Sequence, residues 1–162
     1  MSERSGTERL AARLAFGIAV VAILLSQFPH AQAWRATRLW SRVVLAFAGC
    51  PLRVDGLGSL PTKGAALLVS NHTSYLDVVA LLAALPIEFR FVAKRELGTA
   101  PLIGTVIRKA GHLMVDRVDL SRGVADAETV TTVLRSGTSV LFFPEGTFVA
   151  GTGILPFKLG AF

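Results

Sequence analysis

The chain has 162 residues, 52% of them apolar, and a mean hydropathy of +0.56. This length suits one domain with its own core. Cys50 is the only cysteine, which excludes an intrachain disulfide and a cysteine-rich metal site. The net charge of +6 and the pI near 10.4 predict an anionic partner: a membrane surface, a nucleic acid or a phosphorylated substrate. Nucleic acid is the weakest of these because no basic recognition helix and no interleaving of aromatic and basic residues is present.

The first 50 residues have the composition of a membrane-associated segment. Leu14–Leu25 is wholly apolar, and no charged residue lies between Arg13 and Arg35. A spanning helix needs roughly 20 apolar residues, a length that this run reaches only by including polar ones. Trp34–Cys50 mixes large apolar side chains with three arginines, which is typical of an interfacial helix. We predict two membrane-associated helices in residues 1–50, either an embedded hairpin or one span followed by an in-plane helix.

Two other interpretations of this segment stay open. Arginines precede the apolar run and Ala31-Gln32-Ala33 resembles a cleavage site, which is the pattern of a signal peptide. However, another apolar and basic helix follows, rather than a secreted domain that uses disulfides. The second alternative is that both helices are ordinary core helices. Basic residues flank the run on both sides, so the charge pattern gives no orientation.

Residues 51–162 form the second predicted part, which begins at Pro51 and the glycines of 56–58. Short apolar runs alternate there with helical segments, a pattern that predicts an α/β domain with a mixed, largely parallel sheet flanked by helices. The predicted strands are Leu52–Val54, Ala65–Val69, Phe89–Ala93, His112–Val115 and Val140–Phe143. The predicted helices are Tyr75–Leu85, Leu102–Ala110 and Ser121–Arg135.

The most informative stretch is 71–77, which joins a predicted strand to a predicted helix. Thr73 or Ser74 would cap the helix, and Asp77 would lie in its first turn. An aspartate one helical turn after His72 can accept a hydrogen bond from one ring nitrogen and leave the other to take a proton. The pair is then half of a nucleophile-activating triad, with a substrate hydroxyl as the nucleophile. The alternative for the spacing alone is a histidine that serves only in the turn.

Polar clusters also follow the other predicted strands, at Lys94, Asp116-Arg117 and 144–146. The carboxyl ends of parallel strands meet at one edge, where ligands bind, so we expect these clusters to converge with His72. Arg117 suits a phosphate as a bidentate donor. Its alternative is a salt bridge with a neighbouring aspartate, and the alternative for Lys94 is a solvated charged loop.

The loop at 143–147 combines a proline, an acid and a glycine directly after a buried strand. Glu145 could hydrogen-bond a substrate hydroxyl. Gly146 lets the backbone approach a ligand closely, with amides able to bind an anion. The alternative is an ordinary surface turn.

Together these blocks resemble the glycerolipid acyltransferases, of the 1-acyl-sn-glycerol-3-phosphate acyltransferase type, from about Leu52 to Phe162. Each block is a weak indication alone, but their joint order and spacing are specific. The blocks are Asn71-His72-x4-Asp77, Lys94-x-Glu96-Leu97 with Pro101 and Gly104, Gly111-x5-Arg117, and Phe143-Pro144-Glu145-Gly146-Thr147.

The resemblance implies a membrane-bound O-acyltransferase at the cytoplasmic face of the cell membrane. His72 and Asp77 would deprotonate the hydroxyl of a lysophospholipid, most simply 1-acyl-glycerol-3-phosphate giving phosphatidate. The acyl donor would be acyl-CoA or acyl-carrier protein, and no cofactor or metal is expected. The residues implied in acceptor binding are Asn71, Arg117, Glu145, Gly146, Thr147 and Lys158.

Two departures from the family pattern affect this expectation. Phe148 stands where many members carry an arginine, so another acceptor, such as a lyso-ornithine lipid, stays open. Members usually continue past the position of Phe162 with a further helix and strand, so we expect the domain to be incomplete at its C-terminal end. A non-catalytic membrane-binding relative is the corresponding alternative. A lipid hydrolase is disfavoured because no Gly-x-Ser-x-Gly elbow exists and Ser74 is the only well-placed hydroxyl.

Overall fold

The computed structural model describes residues 30–100, 103–115, 120–147 and 154–157. The predicted first membrane helix at Leu14–Leu25 lies outside these residues. The described helices are α1 (His30–Phe47), α2 (Leu76–Ala84), α3 (Ile103–Lys109) and α4 (Leu120–Arg135), with 3-10 turns at Leu57–Ser59 and Arg95–Thr99. The described strands are β1 (Leu67–Val69), β2 (Phe89–Lys94), β3 (Leu113–Val115) and β4 (Ser139–Phe142).

The four strands form one parallel sheet in the order β1-β4-β2-β3. Strand β4 lies between β1 and β2, so that Leu141 is in register with both Leu68 and Phe91. All four residues of β4 are buried, as expected for the centre of a sheet covered on both faces. The prediction of an α/β fold with a parallel sheet is confirmed.

The predicted strand at Leu52–Val54 is wrong. The structure gives these residues no regular secondary structure, and Leu52 and Val54 are 40% and 39% exposed. Pro51 offers no N–H to a ladder, and Gly56 turns the chain away with φ 73°. Without a neighbouring strand, three alternating residues bury too little surface to be held extended. The bounds of the other predicted strands differ from the observed ones by no more than two residues.

The core lies on both faces of the sheet, as the alternation of side chains along a strand requires. On one face, Phe89 and Phe91 of β2 and Leu141 of β4 pack with Leu82 of α2. On the other face, Val92, Val140 and Phe142 pack against three apolar side chains of α4, namely Val130, Val133 and Leu134. Helix α2 therefore covers the first face and α4 the second.

Helix α1 packs on the outside of α2. Trp34 meets Phe89 edge-on, with ring centroids 5.3 Å apart, while Val44 and Leu45 pack against Val79 and Ala83. The beginning of α1 thus lies near the start of β2, and its end lies toward the beginning of α2. The two helices run roughly antiparallel.

Arg42 joins the two helices because its Nε donates to the carbonyl oxygen of Ala83 at 3.1 Å. This carbonyl is at the C-terminus of α2, where a positive charge is favourable.

On the other side of α1, Leu39 and Phe47 are 65% and 87% exposed. Within the described ranges, no helix combines the length and the apolar character that a membrane span requires.

A close approach of two backbones holds α3 against the second 3-10 turn. A Cβ atom added at Gly104 would overlap the carbonyl oxygen of Gly98, which also accepts a hydrogen bond from Arg108. Glycine is needed at position 104 because of this contact and not because of an unusual backbone angle.

We expect Gly104→Ala to lower the free energy of unfolding by about 1–3 kcal/mol, as overpacking usually does. Gly58→Ala is the matched control, because a Cβ there meets nothing within 4 Å. Denaturant unfolding of both variants measures the difference. Equal stability of the two variants would contradict the close approach of Gly104 to Gly98.

Candidate active site

His72 and Asp77 lie together at the carboxyl edge of the sheet. His72 is in the turn between β1 and α2, and Asp77 is in the first turn of α2. Nδ1 of His72 is 2.9 Å from Oδ2 of Asp77, and the two side chains are 15% and 23% exposed. The structure therefore brings together the two residues that the sequence paired.

The same carboxylate oxygen of Asp77 accepts two further hydrogen bonds, from the amides of Thr73 at 2.7 Å and Ser74 at 2.8 Å. Partial burial by itself raises the pKa of Asp77. The hydrogen bonds from the Ser74 amide, the His72 ring and the Thr73 amide outweigh it and hold the pKa below its ordinary value. Asp77 is therefore ionised at neutral pH and can only accept hydrogen bonds. Nδ1 of a neutral His72 then carries the hydrogen, and Nε2 is the nitrogen that takes a proton.

The residue before α2 is Tyr75, which makes no side-chain capping hydrogen bond, so the predicted cap at Thr73 or Ser74 is wrong. Ser74 still supports the turn into the helix. Its hydroxyl oxygen accepts the N–H of Leu76 at 3.1 Å, and its carbonyl oxygen accepts the N–H of Asp77 at 3.1 Å.

A tight turn follows β4, closed by a hydrogen bond of 3.0 Å from the amide of Gly146 to the carbonyl oxygen of Phe143. Pro144 fits the second position of such a turn, and Gly146 adopts a left-handed φ of 73°. The amide of Gly146, which the sequence offered as an anion ligand, donates within this turn. The turn directs Glu145 inward, where the residue is only 2% exposed.

Glu145 connects two separate segments of the chain. Its Oε1 accepts the backbone N–H of His72 at 2.8 Å, and its Oε2 accepts the N–H of Leu155 at 2.8 Å. The sequence assigned Glu145 to the acceptor, whereas in the structure both oxygens face the protein backbone.

Aromatic rings continue from His72 into the core. The His72 ring stacks on Phe143, with centroids 4.1 Å apart and planes 16° apart, and Phe143 is stacked on Phe91 at 6.0 Å. Phe91 meets His112 edge-on and donates its backbone N–H to Nδ1 of His112 at 3.2 Å. The sequence placed Phe143 in a strand and in a family block but did not predict its contact with His72. Its place two residues after the buried Leu141 was the available indication, because alternate residues share one face.

The other predicted site residues are less constrained. Asn71, which precedes His72, and Thr147, two residues after Glu145, are both exposed. Lys94 ends β2 and pairs with Glu96 at 2.9 Å. Arg117, Phe148 and Lys158 lie outside the described residues. Within the part of the chain that the structure describes, no group of three or more His, Cys, Asp or Glu side chains is arranged to hold a metal ion.

Comparison with known proteins identifies a family. The sequence model described as Acyltransferase matches residues 51–162. The chloroplastic 1-acyl-sn-glycerol-3-phosphate acyltransferase of Arabidopsis thaliana is 33% identical over 126 residues, covering 77% of this chain and 35% of the relative. A lysophospholipid acyltransferase of the same plant is 32% identical over 180 residues, covering 86% of this chain and 44% of the relative. The chain thus spans less than half the length of either relative.

The fold has a solved counterpart. The crystal structure of the 1-acyl-sn-glycerophosphate acyltransferase from Thermotoga maritima superposes with a TM-score of 0.73 at 21% identity. The match covers 98% of this chain and 68% of that one. At this identity, the likeness shows that the two proteins share a fold.

His112, the buried last ring of the row that begins at His72, should make the stability of the fold depend on pH. Desolvation by burial, together with the nearby Arg90 guanidinium, lowers the pKa of His112 to about 4. An unfolded chain, with a histidine pKa of about 6.5, binds this proton more readily than the native state does. The free energy of unfolding should therefore fall by up to about 3 kcal/mol as the pH decreases from 6.5 to 4.

Denaturant unfolding at several pH values between 7 and 4 measures this dependence. His112→Asn is the control, since its side-chain oxygen can still accept the Phe91 N–H but does not titrate in this range. The variant should lose stability less steeply. An equal slope in the two proteins would contradict the assignment to His112.

Proposed function

The chain belongs to the acyltransferase family, and we propose that it moves a fatty acyl group from a thioester donor to the hydroxyl of a lysophospholipid. The observation that carries this proposal is the hydrogen-bonded pair of His72 and Asp77 at the carboxyl edge of the parallel sheet. The proposed acceptor is 1-acyl-glycerol-3-phosphate, which gives phosphatidate. Acyl-CoA or acyl-carrier protein would supply the acyl group.

In the proposed reaction, His72 acts as the general base. Nε2 removes the proton of the acceptor hydroxyl as its oxygen attacks the thioester carbonyl carbon. Asp77 stabilises the imidazolium through the hydrogen bond at Nδ1. When the tetrahedral intermediate collapses, the C–S bond breaks and the imidazolium returns its proton to the leaving thiolate. The ester and a free thiol are the products, so atoms and charges balance without a cofactor.

We propose that Arg117 and Lys158 supply positive charge to an anionic headgroup. Arginine offers a planar fork that matches phosphate oxygens, and lysine a point charge. Asn71 and Thr147, which are exposed beside the catalytic turn, would contact the polar part of the acceptor. The net charge of +6 favours such an acceptor on electrostatic grounds.

Phe148 supports a second acceptor class. It stands where many members of the glycerolipid acyltransferase family carry an arginine. This loop therefore has one positive charge fewer for a terminal phosphate. A lysophospholipid with a larger headgroup, or a lyso-ornithine lipid, needs less charge there. The similarity to a protein named as a lysophospholipid acyltransferase is compatible with this alternative.

We also propose that the protein works at a membrane surface, on the cytoplasmic face. Its acceptor is an amphiphile that resides in a bilayer, and α1, which contains three arginines, exposes Leu39 and Phe47. A helix that combines exposed apolar side chains with arginines suits the boundary between acyl chains and lipid phosphates. Because α1 and α2 run roughly antiparallel, Phe47 lies toward the edge that holds His72.

The first test is acyl transfer by membranes containing the chain. His72→Ala should lower turnover roughly 10²–10⁴-fold, because the general base is removed. Thr131→Ala, on the exposed side of α4, is the control. Labelled acyl-CoA and acyl-carrier protein should be offered with lysophosphatidate, lysophosphatidylethanolamine and a lyso-ornithine lipid in separate reactions. Unchanged turnover in His72→Ala would contradict the mechanism, and transfer to no acceptor would contradict the activity.

The membrane proposal predicts that Leu39→Asn and Phe47→Asn together weaken sedimentation with vesicles of phosphatidylglycerol and phosphatidylethanolamine. Both side chains are exposed, so the double variant should keep its unfolding curve. Leu67→Asn, at a 48% exposed leucine on the edge strand β1, is the matched control. Sedimentation equal to that of the wild type would place the membrane contact away from α1.

A further inference from the structure

We propose that Glu145 is a positioning residue that fixes the backbone of His72, and that it does not bind the acceptor. The inference rests on the proposed function, in which His72 is the base. It differs from the assignment that the resemblance implies, which places Glu145 in the acceptor site.

Glu145 is a buried, fully hydrogen-bonded carboxylate. Glu145 is 2% exposed, and each of its two carboxylate oxygens accepts a backbone N–H at 2.8 Å. A buried carboxylate is costly unless such bonds compensate for its lost hydration. An acceptor hydroxyl would have to enter this buried site, where the amides of His72 and Leu155 already contact both oxygens. The geometry suits a fixed structural contact better than a reversible one.

The turn at 143–146 holds His72 in two ways. Glu145 fixes the main chain of His72, while Phe143, two residues earlier, supplies the face on which the imidazole stacks. Asp77 fixes the remaining freedom by its bond to Nδ1. The ring position is thereby determined before any substrate binds. Misplacement of a catalytic group by about 1 Å can cost about a hundredfold in rate.

The other oxygen of Glu145 holds a surface segment in place. Leu155 is ten residues further along the chain, in a short segment whose side chains Ile154 and Phe157 are 69% and 50% exposed. By accepting the Leu155 N–H, Glu145 ties this surface segment to the catalytic turn. A glutamine cannot reproduce both contacts, because its amide group has one acceptor oxygen and would present an N–H₂ to the second backbone N–H.

Amide exchange in the wild-type chain, measured in detergent micelles, tests the contacts directly. The N–H groups of His72 and Leu155 should exchange about a hundredfold or more slowly than in an unstructured peptide. They should stay protected when lysophosphatidate is added at saturating concentration. Rapid exchange without the lipid, or protection lost on its addition, would overturn the proposal.

Glu145→Gln tests the consequence for catalysis, with Glu128→Gln on the exposed side of α4 as the charge-matched control. The Glu145 variant should lose about 10- to 100-fold in kcat, with the acceptor KM within about twofold of the wild type. The ring resonances of His72 in its NMR spectrum should shift, while those of the Glu128 variant should not. A raised acceptor KM with unchanged kcat and unchanged ring resonances would instead assign Glu145 to the acceptor.

These measurements separate the two proposals. Failure to acylate any acceptor contradicts the proposed function alone, because protection of the two amides needs no substrate. If Glu145→Gln does not fold, amide exchange in the wild-type chain still decides whether Glu145 holds His72.

Discussion

The position of β4 in the sheet is the constraint on which the site depends. Because the strands are parallel, their carboxyl ends meet at one edge, and β4 hydrogen-bonds to both β1 and β2. The Ser70 amide still donates to the Phe142 carbonyl oxygen at 3.3 Å, so the pairing continues up to the turns that carry His72 and Glu145. His72 and Glu145 then face each other across neighbouring strands. Their separation is set by the spacing of the ladder, which is far more rigid than a pair of loops.

The chemistry of the site is prepared by hydrogen bonds that need no ligand. One oxygen of Asp77 accepts three N–H donors, which keeps the carboxylate ionised and selects the His72 tautomer that carries its hydrogen on Nδ1. The ring face rests on Phe143. The protein by itself therefore fixes both the tautomer and the plane of the His72 ring.

Local patterns in the sequence were sufficient for part of this site. His72 and Asp77 are five residues apart, so a strand-to-helix turn predicts their contact. The contact between Glu145 and His72 spans 73 residues and depends on which strands are neighbours, which no local pattern contains. The turn that buries Glu145 looked equally suited to presenting it to a ligand. The predicted strand at Leu52–Val54 was wrong for a related reason, because an alternating pattern does not show whether a partner strand exists. The roles of Arg117 and Lys158 remain predictions.

The strand order also determines when the contacts of His72 can form as the chain folds. Strands β1 and β2 are made first but are not neighbours, and β4 must insert between them after both have left the ribosome. The His72–Asp77 bond closes a short loop and can form early, whereas the bond to Glu145 closes a long one at a higher entropic cost. Asp77 therefore holds the ring of His72 through a local contact, whereas Glu145 can reach the His72 backbone only once β4 has joined β1 and β2.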